Sequence, residues 1–155
     1  MFQWIKRLFQ SPQPAGPAQT IKKFTPLDAT ITKEVITSDS NGWLVDVEET
    51  QTIRLFEIND PQVENCMLTY RADIKTENVK NRTYLEMWCR LSSQGEFFSK
   101  GFHNSLKGSN DWGTYEVPFY LKRDQRPDQV KLNLTVEGSG KVWMRNIELS
   151  YTPLK

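Results

Sequence analysis

Three segments of this chain alternate apolar and polar side chains with a period of two, and that alternation narrows the possible folds more than any other feature. In residues 66–75, Cys66, Leu68, Tyr70, Ala72 and Ile74 alternate with Met67, Thr69, Arg71, Asp73 and Lys75. In residues 83–91, Leu85, Met87, Cys89 and Leu91 alternate with Tyr84, Glu86, Trp88 and Arg90, and in 130–136 Val130, Leu132, Leu134 and Val136 alternate with Lys131, Asn133 and Thr135. Successive side chains of an extended strand point to opposite faces, so each segment offers one face to a core and one to water. A slip of one residue would reverse the two faces, which pins the register. Helical periodicity is nearly absent beyond residue 20, while short runs bounded by Gly, Pro, Asn and Asp recur. The expectation is an all-β sandwich or barrel, and two apolar faces of this kind packed about 10 Å apart would make a sandwich core.

Strands are predicted near 21–25, 31–37, 43–48, 52–58, 66–75, 83–92, 97–103, 115–121, 130–137 and 142–150. Thr76 to Arg82 is expected to join the two strongest strands as a hairpin, and Glu137-Gly138-Ser139-Gly140-Lys141 to form a tight turn into the last strand. Pro118 removes a ladder donor and marks an edge or a bulge. In the last strand Val142 and Met144 share a phase that Ile147 and Leu149 do not, so a bulge is expected near Arg145-Asn146.

The chain has 155 residues, which suits one such domain that needs no metal or disulfide staple to fold. The expected division is an N-terminal arm and Pro-rich linker over residues 1–20 and a single β-sandwich over 21–155. Ser11 to Gln19 carries three prolines and reads as extended. Trp4, Ile5, Leu8 and Phe9 fall on one side of a short helix, a stripe able to touch a membrane or a protein partner; the plainer reading is an arm lying on its own domain. The apolar run is too short for an export signal or a bilayer span, which makes a cytoplasmic location the expectation. Twenty Lys and Arg against 19 Asp and Glu leave a charge of +1, so no general attraction to nucleic acid is expected.

Cys66 and Cys89 each occupy a core-facing position and read as buried free thiols. His103 is the only histidine and no Cys-x-x-Cys pair occurs, so no metal site of the usual zinc ligands is expected. Catalytic signatures are missing as well: no Gly-x-Ser-x-Gly elbow, no phosphate-binding glycine loop, no His-Glu-x-x-His. No cofactor is expected. A carboxylate pair such as Asp73 with Glu86 is conceivable for glycoside cleavage, but Arg71 and Arg90 stand beside them as ordinary salt partners. The expectation is a protein that is not an enzyme.

The segment Trp112-Gly113-Thr114-Tyr115-Glu116-Val117-Pro118-Phe119, then Val130-Lys131-Leu132-Asn133-Leu134, then Gly138-Ser139-Gly140-Lys141-Val142-Trp143-Met144-Arg145-Asn146-Ile147-Glu148-Leu149 resembles the C-terminal half of galactose-binding-like jelly rolls. That superfamily includes many carbohydrate-binding modules. The resemblance spans roughly residues 43–150 and implies an all-β jelly-roll β-sandwich of two antiparallel sheets; its motif positions are core and turn residues, which do not assign a ligand. Arg145 and Asn146 stand where the closing strand of such modules often carries acidic residues, so the structural calcium many of them hold is not implied here. The chain also resembles, loosely, the β-sandwich of the complex I intermediate-associated family.

The outward-facing residues supply the candidate site. Tyr84, Glu86, Trp88 and Arg90, with Arg71 and Asp73 on the preceding strand and Asn133 on another, are expected to form one continuous patch, since neighbouring strands lie about 4.8 Å apart. An aromatic plane that stacks on the C–H face of a pyranose, flanked by Arg, Asp, Glu and Asn that bridge its hydroxyls, is what sugar recognition requires. Trp112 follows the turn-rich Lys107-Gly108-Ser109-Asn110-Asp111 and is added either as a rim platform or as a packing residue. Trp43 and Trp143, at strand starts, read as packing residues, and for Trp143 the alternation with Val142 and Met144 leaves an outward position equally open. The expected function is therefore a non-catalytic binding module with a carbohydrate ligand. The alternative is an intracellular protein-interaction or assembly domain, and a solvated sheet face cross-linked by Arg–Glu pairs is the plain structural reading of the same residues.

Overall fold

A computed structural model of the chain describes residues 12–155. The arm with Trp4, Ile5, Leu8 and Phe9 lies outside the described residues. Among the described residues nine strands form one antiparallel sheet that curls on itself into two layers: β1 (Gln19–Lys23), β2 (Ile36–Ser38), β3 (Trp43–Val47), β4 (Gln51–Asn59), β5 (Cys66–Leu91), β6 (Gly95–Lys100), β7 (Leu106–Leu121), β8 (Pro127–Glu137) and β9 (Gly140–Pro153). The only helical piece among the described residues is a 3-10 turn at Phe102–Asn104. The first layer runs β2-β3-β9, then the N-terminal half of β5, then β7, with β1 also on β9. The second runs β4-β8, then the C-terminal half of β5, then β6.

The strand that makes the sandwich is β5, and it corrects an expectation. Thr76 to Arg82 is not a hairpin: the chain continues through it as one strand of 26 residues. Thr76 and Glu77 still pair with Val142 and Lys141 of β9, and by Arg82 the partner is Glu137 of β8. Over the crossing, Lys80 N–H donates to Ser139 O at 2.9 Å, so the β8–β9 turn rides on the bend. Asn78, at φ 52°, takes the left-handed conformation that its type tolerates. That one residue changes the phase rather than the direction. Core positions are even-numbered through Thr76 and odd-numbered from Val79, and both halves keep their apolar face inside. Asn78 serves a bulge in a continuing strand, not a reversal.

Two further boundaries move. The strand expected over 31–37 shrinks to β2, because Ile31 and Thr32 N–H donate to Leu55 and Arg54 carbonyls at the edge of β4 and Val35 has φ 61°. The strand expected from 115 starts at Leu106. Pro118 lies on β7, an edge strand that pairs only with β5, as one of the two expected readings has it. The bulge in β9 is present at Asn146, φ 56°, where three residues of β9 pass two of β5. At the chain's beginning, Ala15 N–H donates to Pro153 O at 2.7 Å, and β1 starts at Gln19.

Between the layers Leu68, Tyr70, Met87, Leu132, Leu134, Met144, Ile147 and Leu149 are fully buried. Tyr70, from the first layer, donates its hydroxyl to Asn133 O of the second at 3.2 Å. One end is closed by Phe24 stacked on Phe56, ring centroids 4.1 Å apart, with Trp43 edge-on to Phe56 at 5.7 Å. Trp43 is thus a packing residue, as its position suggests.

Cys66 and Cys89 are buried free thiols. Burial pushes Cys66 up to about 11, and burial with a further contribution from Cys66 pushes Cys89 up to about 12. In the unfolded chain both ionise near pH 8.5. The folded state therefore holds more protons above that pH, and stability falls as pH rises from about 8.5 toward 11, on the order of 1 kcal/mol per pH unit per thiol. Urea unfolding at pH 7 and pH 10 should show a larger loss for the wild type than for a Cys66→Ala/Cys89→Ala double variant. Equal losses would contradict the protonated, buried thiols.

Candidate ligand-binding faces

The long β5 strand that builds the sandwich also divides the candidate site. Tyr84, Glu86, Trp88, Arg90 and Asn133 lie on the outer face of the second layer, whereas Arg71, Asp73 and Trp112 belong to the outer face of the first. The expected single patch is two surfaces on opposite sides of the molecule. The crossing at 78–81 separates them: strands close in sequence end up in different layers. Asp73 and Glu86 are accordingly no carboxylate pair.

On the second layer the side chains form cross-strand rows. Glu57, Lys131, Trp88 and Phe98 make one row across β4, β8, β5 and β6; Arg54, Asn133, Glu86 and Lys100 make the next; Thr52, Thr135 and Tyr84 make the third. Trp88 faces outward and is half-buried. Its indole N–H donates to Glu86 Oε1 at 2.5 Å, and Glu86 Oε2 accepts Thr135 Oγ1 at 3.0 Å with Lys100 Nζ 4.0 Å away. Glu86 is 5% exposed, so its carboxylate acts as the anchor that orients the indole. Phe98 lies against the indole with centroids 5.0 Å apart and is 53% exposed. A cleft of about 250 Å³ opens beside Trp88, lined by Thr52, Arg54, Glu96, Lys131 and Asn133. Arg54 pairs with Glu57 at 2.6 Å and Lys131 with Glu96 at 3.0 Å, which holds donors and acceptors at the cleft's edges.

Other expected members of this face do different work. Tyr84 is buried, with Phe102 edge-on at 4.8 Å and the Arg82 guanidinium 5.3 Å from its ring, so it is not an open platform. Burial, and then the nearby Glu137 carboxylate, hold its phenol above the usual range. The Arg82 hydrogen bond holds Glu137 below the carboxylate range. Arg90 is tied to Asp128 at 2.6 Å at the end of the sheet. Phe98, Lys100, Phe102 and Arg54 were not picked out from the sequence. The adjacent Phe97-Phe98 pair blurs the period of two in β6, and Arg54 sits beside a bulge at Leu55 that shifts the register of β4.

On the first layer Arg71 pairs with Glu116 at 2.9 Å. Asp73 accepts Thr114 Oγ1 and Asn146 Nδ2, both at 2.7 Å, and lies 3.8 Å from Arg145. Partial burial opposes its ionisation, but those hydrogen bonds and the charges of Arg145 and Arg71 hold the carboxyl below its usual value. Trp112 is half-buried under the Arg145 guanidinium, 4.0 Å from the ring centroid. Trp143 is not a packing residue of the core: Val142 and Met144 take the inward positions and Trp143 faces out, half-buried. Among the described residues no group of three or more His, Cys, Asp or Glu is placed to hold a metal ion.

No protein-family model matches the chain, and no curated protein matches it. Solved structures do share its fold. The CBM22-1 xylan-binding domain of Paenibacillus barcinonensis Xyn10C superposes with TM-score 0.59 at 6% identity, covering 90% of this chain and 98% of that one. A CBM29-2 variant complexed with mannohexaose gives 0.52 at 11% identity over 87% and 93%. A cyclase from Fischerella sp. TAU gives 0.54 at 16% identity over 83% and 74%. At such identities the likeness is one of fold. The chain is a jelly-roll β-sandwich, a fold it shares with the carbohydrate-binding modules among these structures.

Proposed function

We propose that the protein is a non-catalytic carbohydrate-binding module that takes a glycan chain along the outer face of the second layer. The observation that carries this reading is Trp88: a half-buried, outward indole locked by Glu86, next to an exposed Phe98 and a cleft edged by Arg54, Asn133, Lys131 and Glu96. An immobilised aromatic surface costs little entropy when a sugar stacks on it, and the flanking charged and amide groups supply hydrogen bonds to hydroxyls. Fold likeness to xylan- and mannohexaose-binding modules supports the ligand class. Glu86 is already engaged by Trp88 and Thr135, which favours binding over catalysis on this face.

Calorimetry and glycan arrays with soluble xylan, mannan and β-glucan oligosaccharides test the reading. Wild-type protein should bind at least one of them, and Trp88→Ala should weaken that binding about tenfold or more while leaving the thermal midpoint within a few degrees. No binding by the wild type, or equal binding by Trp88→Ala, would end the proposal.

A second reading, an interaction or assembly domain, draws on Phe97, Phe98 and Phe102, which are 43%, 53% and 42% exposed along edge strand β6 and the turn after it. Exposed aromatics on both sides of a sheet edge suit a protein partner. It predicts that a Phe97→Ser/Phe102→Ser variant loses a co-purifying partner while its glycan binding is unchanged.

A further inference from the structure

We propose a second ligand site on the outer face of the first layer, a pocket that accepts a single neutral pyranose. It lies on the opposite side of the sandwich from Trp88 and does not depend on the function proposed for that face.

Three independent local features build the pocket. On β9, the inward positions of Val142 and Met144 leave Trp143 and Arg145 facing out, and the bulge at Asn146 then returns Ile147 to the core. On β7, an extra residue between Asn110 and Gly113 breaks the register with β5 beside Trp112. Arg145 reaches across β5 to lie over that ring and is held from behind by Asp73, itself fixed by Thr114 and Asn146. The third wall is the turn between β2 and β3. Asp39 Oδ1 accepts the backbone N–H groups of Asn41 and Gly42 at 2.7 and 3.0 Å, and Gly42 sits so close to β9 that a Cβ there would fall 2.1 Å from Met144 O. That contact sets Asp39 and Asn41 beside Arg145.

The pocket is half open, about 240 Å³, lined by Asp39, Asn41, Trp112, Trp143 and Arg145, with Trp43 beneath. It is walled on three sides and less open than the cleft beside Trp88, which suits one sugar ring entering end-on. One cation and one carboxylate among the lining residues cancel, so neither an anion nor a cation is favoured. A purely apolar ligand would desolvate Arg145 and Asp39 without compensation. A pyranose matches both halves of the lining: its C–H groups pack against the indole surface that Arg145 over Trp112 and Lys75 over Trp143 leave uncovered, and its hydroxyls meet guanidinium, carboxylate and amide. Arg145 keeps 42% of its side-chain surface exposed despite its two partners, so a ligand can reach it.

The test uses the full chain and four probes, the methyl β-glycosides of glucose, galactose, mannose and xylose. Indole N–H signals in two-dimensional NMR are assigned with single Trp→Phe variants. At least one glycoside should shift the Trp112 and Trp143 signals and leave Trp88 in place. Trp112→Ala and Arg145→Gln should each weaken that glycoside about tenfold. The proposal is overturned if none of the four moves Trp112 or Trp143, if the shifts appear at Trp88 instead, or if both pocket variants bind like the wild type. The oligosaccharide experiment on Trp88 reads the other face, so either site can fail while the other stands.

Discussion

Tyr70→Ala is expected to cost about 3–5 kcal/mol of folding stability, whereas Tyr70→Phe should cost only about 1 kcal/mol. The ring is fully buried on the N-terminal half of β5, at the centre of the contact between layers. Its hydroxyl is the side chain's only polar atom, and it donates across the core to Asn133 O. Alanine removes the ring and leaves a cavity that the flanking strands cannot close; phenylalanine keeps the packing and loses one hydrogen bond. For a domain near this size, a change of 1 kcal/mol moves the thermal midpoint by roughly 2–4 °C, so the alanine variant should melt about 10 °C lower. Urea unfolding checks both variants. Comparable losses for Phe and Ala would mean that the cross-layer hydrogen bond, rather than the ring, dominates at this position.

Gly42→Ala should destabilise by about 2 kcal/mol or more, because the new methyl would meet the Met144 carbonyl at 2.1 Å and backbone must move. The control is Gly16→Ala, where the nearest atom is Pro153 Cγ at 3.9 Å and the change should stay within about 0.5 kcal/mol. Displacing the Asp39–Gly42 turn also pulls Asp39 and Asn41 away from Arg145. The variant should therefore change the indole signals of Trp112 and Trp143 even without a ligand. Thermal unfolding and the same NMR spectra measure both effects, and a Gly42→Ala protein as stable as Gly16→Ala would contradict the close approach of this turn to β9.

Most of the strand content, and the inward set of β5, β8 and β9, could be read from the sequence. Cys66, Leu68, Tyr70, Ala72 and Ile74 point inward as their alternation requires, and so do Leu85, Met87, Cys89 and Leu91. The bulge at Asn146 was legible because Val142 and Met144 cannot share a face with Ile147 and Leu149 in an unbroken strand. The outward face was legible in composition and illegible in arrangement. Trp88 and Asp73 both point away from the core, yet they lie on opposite surfaces because residues 78–81 carry one strand between layers instead of reversing it. Phe98 and Arg54 join Trp88 through pairings of β6 and β4 that no local pattern announces. Arg145 meets Trp112 across the whole width of β5.

Whether a side chain faces core or water is a property of its own strand: the backbone's twofold pleat and the placement of apolar residues decide it, and both are written locally. Which outward side chains become neighbours depends on hydrogen-bond partners supplied from distant parts of the chain, and a run such as Thr76–Arg82 has the same local preferences whether it turns back or goes on. The sequence alone therefore determined a two-faced β chain with an aromatic and charged exterior. Only the tertiary pairing decided that this exterior is divided into an open face around Trp88 and a small pocket around Trp112.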